Sequence, residues 1–313
     1  MDDPTQRQVD SDIEKSMDLF ERADVGTAPA LQRRYPQRVL VALDGSAQDE
    51  AVVLMAKQLH ERLKCEVGFH AASGEKPSIA DASLQTLSEI SARRVDVDWD
   101  LETNYDHILA AVDTFNPDLL LAPCPFGRDF KSVGEDSTGT VIDVLTARMK
   151  IPFVAIRRPD ATGRDATSHL RLILTGENPA AEIAAGWAVG MVQPAGRLEL
   201  LLLVEQSFYE NFREMMGALR PGIEVDYEDL ENALAQKYAR LNASLQHAAT
   251  AFGFTYELLL RYEADEQPIT PEDPQTHPAL MVLALERSDH DSQGEIHDFV
   301  RRSPHPVLVV SVD

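Results

Sequence analysis

Arg38-Val39-Leu40-Val41-Ala42-Leu43-Asp44-Gly45-Ser46 is an apolar run that breaks into a polar turn, and Arg171-Leu172-Ile173-Leu174-Thr175-Gly176-Glu177-Asn178-Pro179 repeats that pattern later in the chain. A run without polar interruption suits a parallel strand buried on both faces. The closing segments repeat too. Ile151-Pro152-Phe153-Val154-Ala155-Ile156 and His305-Pro306-Val307-Leu308-Val309-Val310 each put a proline before a continuous apolar strand. Repetition at roughly 135 to 155 residues is too long for a solenoid and reads as duplication of a domain. Outward from these landmarks the chain divides into an acidic N-terminal segment (1–35), a first domain (36–158), a connector rich in Asp, Thr and Gly, and a second domain (169–313). In the N-terminal segment Ile13, Met17 and Phe20 fall on one helical face.

Between the landmarks, strand and helix patterns alternate. Val52, Met55, Leu59 and Leu63 repeat at helical spacing after Ser46, which with Asp49 forms a capping-box-like pair. Residues 66–72 predict a second strand. After Pro77 a helix carries Ile79, Leu84, Leu87 and Ile90 inward, and Val95, Val97, Trp99 and Leu101 alternate as a third strand. Asn104 is placed to cap the next helix, 118–122 predicts strand four, 139–149 helix four and 153–156 strand five. The second copy follows suit, with Asn178-Pro179 opening its first helix, an insertion bearing Phe208, Phe212 and Met216, and a long amphipathic helix from Leu230 to Phe252. Its third helix is shortened or lost in the proline-rich stretch 264–278. Strands alternating with helices give α/β architecture, because right-handed crossovers put helices on both faces of a parallel sheet. We therefore expect two three-layer α/β/α sandwiches with five-stranded parallel sheets. Their closing strands, 153–156 and 307–310, are edges that pair across the two copies as an intramolecular pseudo-dimer.

Composition narrows the partners. A chain of 313 residues with 44% hydrophobic content has material for two ordinary cores. Its formal charge of -23, with no run of clustered Lys and Arg, repels phosphate backbones and anionic lipid, so neither nucleic acid nor a membrane surface is an expected partner. Cys65 and Cys124 lie far apart and suggest no disulfide framework; with no secretory signal pattern and no membrane-length apolar run, the expected location is the cytoplasm.

Ligands of open parallel sheets sit beyond the strand carboxyl ends. That singles out Asp44, Ala71 and the loop after Ala122, which carries Gly127, Gly134 and then Gly139-Thr140 at a helix start where free N–H groups and the helix dipole favour an anion. Arg128 and Lys131 would assist a phosphate there; Asp129, Glu135 and Asp136 would oppose a polyphosphate unless Mg²⁺ is present. In these features the chain resembles the universal stress protein superfamily in tandem two-domain form, over roughly residues 36–313. Leu40 to Ser46 is similar to the family's first-strand motif, His70-Ala71 to the end of its second strand, and Asp118 to Ala122 to the strand before its glycine loop, Gly-x2-Gly-x9-Gly-[Ser/Thr]. The resemblance implies an adenine nucleotide hydrolase-like fold and an ATP or other adenine nucleotide site, with Mg²⁺, at Ala42, Asp44, Ala71, Ala122, Gly127, Gly139 and Thr140. The loop departs from the pattern: Pro123 stands at the first glycine, Gly127 is displaced, and the run to Gly139 is longer by roughly two residues. Proline has no N–H to offer a phosphate.

In the second copy Glu177 replaces the aspartate and the stretch 286–293 before Gly294 is too short for a phosphate cradle, so that copy is expected to serve packing or partner contact. Asp289, His290, Asp291, His297 and Asp298 have a metal-like composition, but helix-start Asp residues are ordinary caps and no metal site is assigned. Cys124 is either a redox-sensitive thiol or an inert buried one. No Gly-x-Ser-x-Gly elbow and no nucleotidyl-transfer motif occurs, so the reading is a regulatory binding module, not an enzyme. Two alternatives stand beside it: an interaction scaffold that binds no nucleotide, acting through an unknown protein partner, and a slow ATPase. Further homo-oligomerisation is compatible with either.

Overall fold

The computed structural model describes residues 30–71, 79–98, 101–128, 138–159, 165–174, 180–204, 210–211, 213–215, 218, 234, 236–262, 276–286 and 290–312. The first half contains β1 (Arg38–Leu43), α1 (Gln48–Leu63), β2 (Glu66–Ala71), α2 (Asp81–Glu89), β3 (Arg93–Arg94), α3 (Asn104–Phe115), β4 (Leu119–Pro123), α4 (Thr140–Arg148) and β5 (Phe153–Ile156). The second contains β6 (His169–Leu174), α5 (Ala181–Met191), β7 (Arg197–Val204), α6 (Ala239–Phe252), β8 (Thr255–Tyr262), β9 (Leu280–Glu286), α7 (His290–Arg302) and β10 (Val307–Val312).

All ten strands belong to one sheet, in the order β3-β2-β1-β4-β5-β10-β9-β6-β7-β8. Pairing is parallel within each half and antiparallel only at the seam, where Leu308 faces Val154. The two five-stranded sheets of the sequence reading are thus continuous: each half ends on an apolar strand whose unpaired edge is satisfied by the other.

Strand alternation sorts the core into two layers. Val39, Val41, Leu43, Val154, Leu308 and Val310 face α1, α2, α5 and α6. Leu40, Ala42, Phe153, Val307 and Val309 face α3, α4 and α7. Both layers run across the seam, so the halves share hydrophobic contacts on each face of the sheet.

The two halves share one feature of register. Arg38 on β1 opposes Glu66 on β2, and Arg171 on β6 opposes Glu199 on β7. Both pairs close a cross-strand salt bridge, at 3.1 Å and 2.6 Å respectively.

Local details differ from the pattern reading. The third strand is only Arg93–Arg94, earlier than the Val95–Leu101 alternation suggested; Val95 extends it by one N–H bond to the Phe69 carbonyl, and Trp99 lies outside the described residues. Leu84, assigned inward, is exposed on α2, while Leu87 and Ile90 are buried. Thr103, not Asn104, caps α3, its hydroxyl accepting from the Asp106 N–H. Phe252 is exposed at the end of α6. The expectations at Asn178, Phe208, Phe212, Met216 and most of 264–278 fall outside the described residues. No described helix is long and apolar enough to cross a membrane.

Candidate functional site

The loop leaving β1 is built on two carboxylates. Asp44, almost fully buried, accepts from the Ser46 N–H at 2.9 Å and so closes an Asx turn that Gly45, at φ +82°, can follow without strain. Asp49 does not cap α1 with Ser46. Its carboxyl oxygens instead accept from the Asp44 N–H at 3.1 Å and the Gly45 N–H at 2.8 Å, tying the first turn of the helix back to the strand end. Burial pushes the Asp49 carboxyl up to about 7, and the neighbouring Asp44 pushes it the same way, against the pull of the two backbone donors.

β4 approaches the same point. Its register brings Val41 opposite Leu121, so Ala42 and Asp44 lie beside the Ala122 end of the strand. Pro123 is the last strand residue, and the Cys124 N–H continues the ladder to the Ile156 carbonyl at 2.8 Å. A cis Cys124–Pro125 bond leads to Phe126 and Gly127. Gly127, at φ +73°, donates its N–H to Asp44 Oδ2 across 83 residues of sequence, and an added Cβ there would meet the Asn104 side chain at 3.0 Å. Gly139, at φ +79°, has Pro125 Cβ at 3.3 Å from where its own Cβ would be, and α4 begins at Thr140.

Gly127 is thus bonded to Asp44, and Gly139, at the start of α4, lies against Pro125 and Phe126, but several donors are already engaged. Pro123 and Pro125 have no N–H, the Cys124 N–H is in the ladder, and the Gly127 N–H is held by Asp44. The first turn of α4 carries its own carboxylate as well: Asp143 Oδ1 accepts from Thr138 Oγ1 at 2.7 Å and lies 2.9 Å from His297 Nδ1 on α7. Lys131, Gly134 and the acidic residues 129, 135 and 136 lie outside the described residues.

Ala42 and Ala122 are buried in the layer under α3 and α4, forming floor, not rim. Ala71, at the end of β2, stands opposite Leu43. Its neighbour His70 is opposite Ala42, and its ring stacks on that of His107 from α3, centroids 6.0 Å apart and planes 17° from parallel. His70 Nδ1 is 2.8 Å from the Val95 carbonyl. Burial holds the His70 imidazole below its ordinary pKa and His107 adds to this, while the Val95 contact acts the other way. This histidine pair is the site feature that sequence reasoning missed. Its members are 37 positions apart on a strand and a helix, and no local spacing announces them.

Elsewhere Cys124 and His297 are placed, while the side chains of His290 and Asp291 lie outside the described residues. Cys124 is fully buried, with its thiol directed to the Thr138 carbonyl, and burial raises it to about 12; it is an inert thiol. His297 is occupied with Asp143, and no group of three metal-ligating side chains exists among the described residues. Glu177 and Asp289 lie outside those residues.

No family model matches the sequence, and no curated protein matches it. Solved structures do. The chain superposes on a universal stress protein from Archaeoglobus fulgidus with a TM-score of 0.52 at 12% identity, over 88% of this chain and 96% of that one. A functionally unknown protein from Pseudomonas aeruginosa gives 0.52 at 11% identity, over 89% and 93%. A putative universal stress protein from the same species gives 0.51 at 10% identity, over 88% and 93%. At such identities the likeness is one of fold: the chain has the α/β fold of the universal stress proteins.

Proposed function

We propose that this chain is a universal stress-type regulatory protein that binds an adenine nucleotide in its first half without turning it over. The observation that carries this reading is the bond of Gly127 to Asp44 at the carboxyl ends of β1 and β4, with Gly139 at the N-terminus of α4 lying against Pro125 and Phe126. For the nucleotide to enter, the Gly127 N–H transfers from Asp44 to phosphate. Asp44 and Asp143 then face a polyanion, at a cost of about 4 kcal/mol per charge pair at 4 Å near a surface. A Mg²⁺ bound with the nucleotide would offset that repulsion, with Asp44 and Asp143 as the carboxylates to hold it. Among the described residues no group at the site has the nucleophile–base geometry of a hydrolase, which supports binding over turnover.

Equilibrium dialysis of the full chain with ATP and Mg²⁺ tests the reading, with Gly139→Asp as the comparison. The expected result is saturable binding by the wild type, lost in the variant. The engaged amides of Cys124 and Gly127 favour a second reading, a nucleotide-independent interaction scaffold. Absence of ATP binding in both proteins selects it.

A further inference from the structure

The chain reaches β1 by crossing the second half. Arg34 donates its N–H to the Gly186 carbonyl of α5 at 2.9 Å. The backbone lies so close to that helix that a Cβ on Gly186 would stand 2.5 Å from the Gln32 carbonyl oxygen. The Arg33 guanidinium rests over the Phe252 ring at the end of α6, 4.8 Å from its centroid. Residues 30–35 are thus a strap across α5 and α6.

Strap, α5 and α6 enclose a cavity of about 190 Å³. Each wall contributes one aliphatic side chain: Leu31, Ile183 and Leu241. Two arginines also line it, Arg34 from the strap and Arg240 from α6, together with Ser244. Arg34 Nη2 donates to the neutral Gln32 amide oxygen at 3.2 Å. Among the described residues no carboxylate pairs with either arginine, although Glu182 borders the same cavity. In a chain with 52 acidic residues against 29 basic ones, two arginines brought to one cavity from the strap and from α6, neither paired with a carboxylate among the described residues, make a site for an anion from outside.

We propose that this cavity binds a small organic acid: one carboxylate, held by Arg34 and Arg240, on a short apolar body packed against Leu31, Ile183 and Leu241. The guanidinium fork matches a carboxylate bidentately. The cavity's volume is below the roughly 300–1,000 Å³ of pockets that bury drug-sized ligands, which suits a small body better than a nucleotide. Glu182 discriminates against polyanions by repulsion. Because one arginine is on the strap and the other on α6, the bound acid fastens the entrance of the first half to the second.

Sodium benzoate, added to the full chain and followed by calorimetry and thermal unfolding, tests this. Expected are saturable binding and, at 100 times the Kd, a Tm rise of about 4 °C. Arg240→Gln and Arg34→Gln should each weaken binding about 10- to 100-fold. Gly139→Asp, which adds a negative charge to the first-half cleft and does not line the cavity, should leave it unchanged. Benzyl alcohol, the same body without the charge, should produce no comparable shift. The proposal is overturned by no binding, by equal stabilisation from benzyl alcohol, by unaltered Kd in both arginine variants, or by loss of binding in Gly139→Asp, which would put the anion in the first-half cleft.

Discussion

Gly190 lies directly beneath Arg34: a Cβ on the glycine would stand 1.6 Å from the arginine's carbonyl oxygen. Backbone atoms cannot yield by that much without the strap lifting from α5. Gly190→Ala should therefore cost about 2–4 kcal/mol by urea denaturation, despite alanine's better helix propensity. Gly186→Ala, with its contact at 2.5 Å, should cost less. A neutral or stabilising Gly190→Ala would show that the strap does not hold this position.

The two matching salt bridges make a controlled comparison. Glu199 is 2% exposed and within 3.1 Å of His169, Arg171 and Arg197, whereas Glu66 is half exposed and pairs with Arg38. Glu199→Gln should cost about 3–5 kcal/mol, since it leaves the largely buried Arg171 uncompensated, and Glu66→Gln less than about 1 kcal/mol. Urea midpoints of the two variants decide it; equal costs would refute the role of burial.

The same glutamate sets an acid limit. Burial opposes ionisation of Glu199, but His169 and Arg171 outweigh it and hold the carboxyl at about 2, below its ordinary 4.5. A lowered folded-state pKa means that its stabilisation is complete above pH 4.5 and is lost as pH falls through about 2. The wild type should lose stability over that window more steeply than Glu199→Gln, as read by urea denaturation at successive pH values.

Asp49 has the opposite sign. Its raised pKa, about 7 against 3.8, means stability fully present below pH 3.8 and lost as pH rises through about 7. Removing the Asp44 charge with Asp44→Asn should lower the Asp49 pKa and flatten this loss. Carbon-detected NMR titration of the Asp49 carboxyl measures it directly, and an unchanged midpoint would exclude coupling between the two residues.

Leu308 and Val154 meet at the antiparallel seam, both completely buried. Leu308→Asp puts an unpaired charge into the layer shared by the two halves. Stability should fall by more than about 4 kcal/mol, and small-angle scattering should report expansion. An unchanged radius of gyration with native stability would mean that the seam does not hold the halves together.

What could be read from the sequence follows the strength of the local signal. Phe153–Ile156 and the start of the last strand at Val307 match the expectation, because unbroken apolar runs after proline leave little freedom in where a strand begins. The third strand was misplaced because Val95 and Val97 alternate as a strand would, yet at this outer position only Arg93 and Arg94 pair with β2. Asp49 illustrates a different limit. A carboxylate three residues after a serine has the spacing of a capping box, and nothing local indicates that strand-end amides compete for it more successfully. The strap did leave a trace. Gly186 and Gly190, one turn apart inside an otherwise apolar helix, each sacrifice about 1 kcal/mol of helix propensity, which signals a close backbone approach.

Because β5 and β10 run in opposite directions, the strand carboxyl ends of the first half open on one rim of the sheet and those of the second half on the other. One small molecule cannot bridge the two rims. Whatever reads both rims therefore meets two separated faces of one continuous sheet.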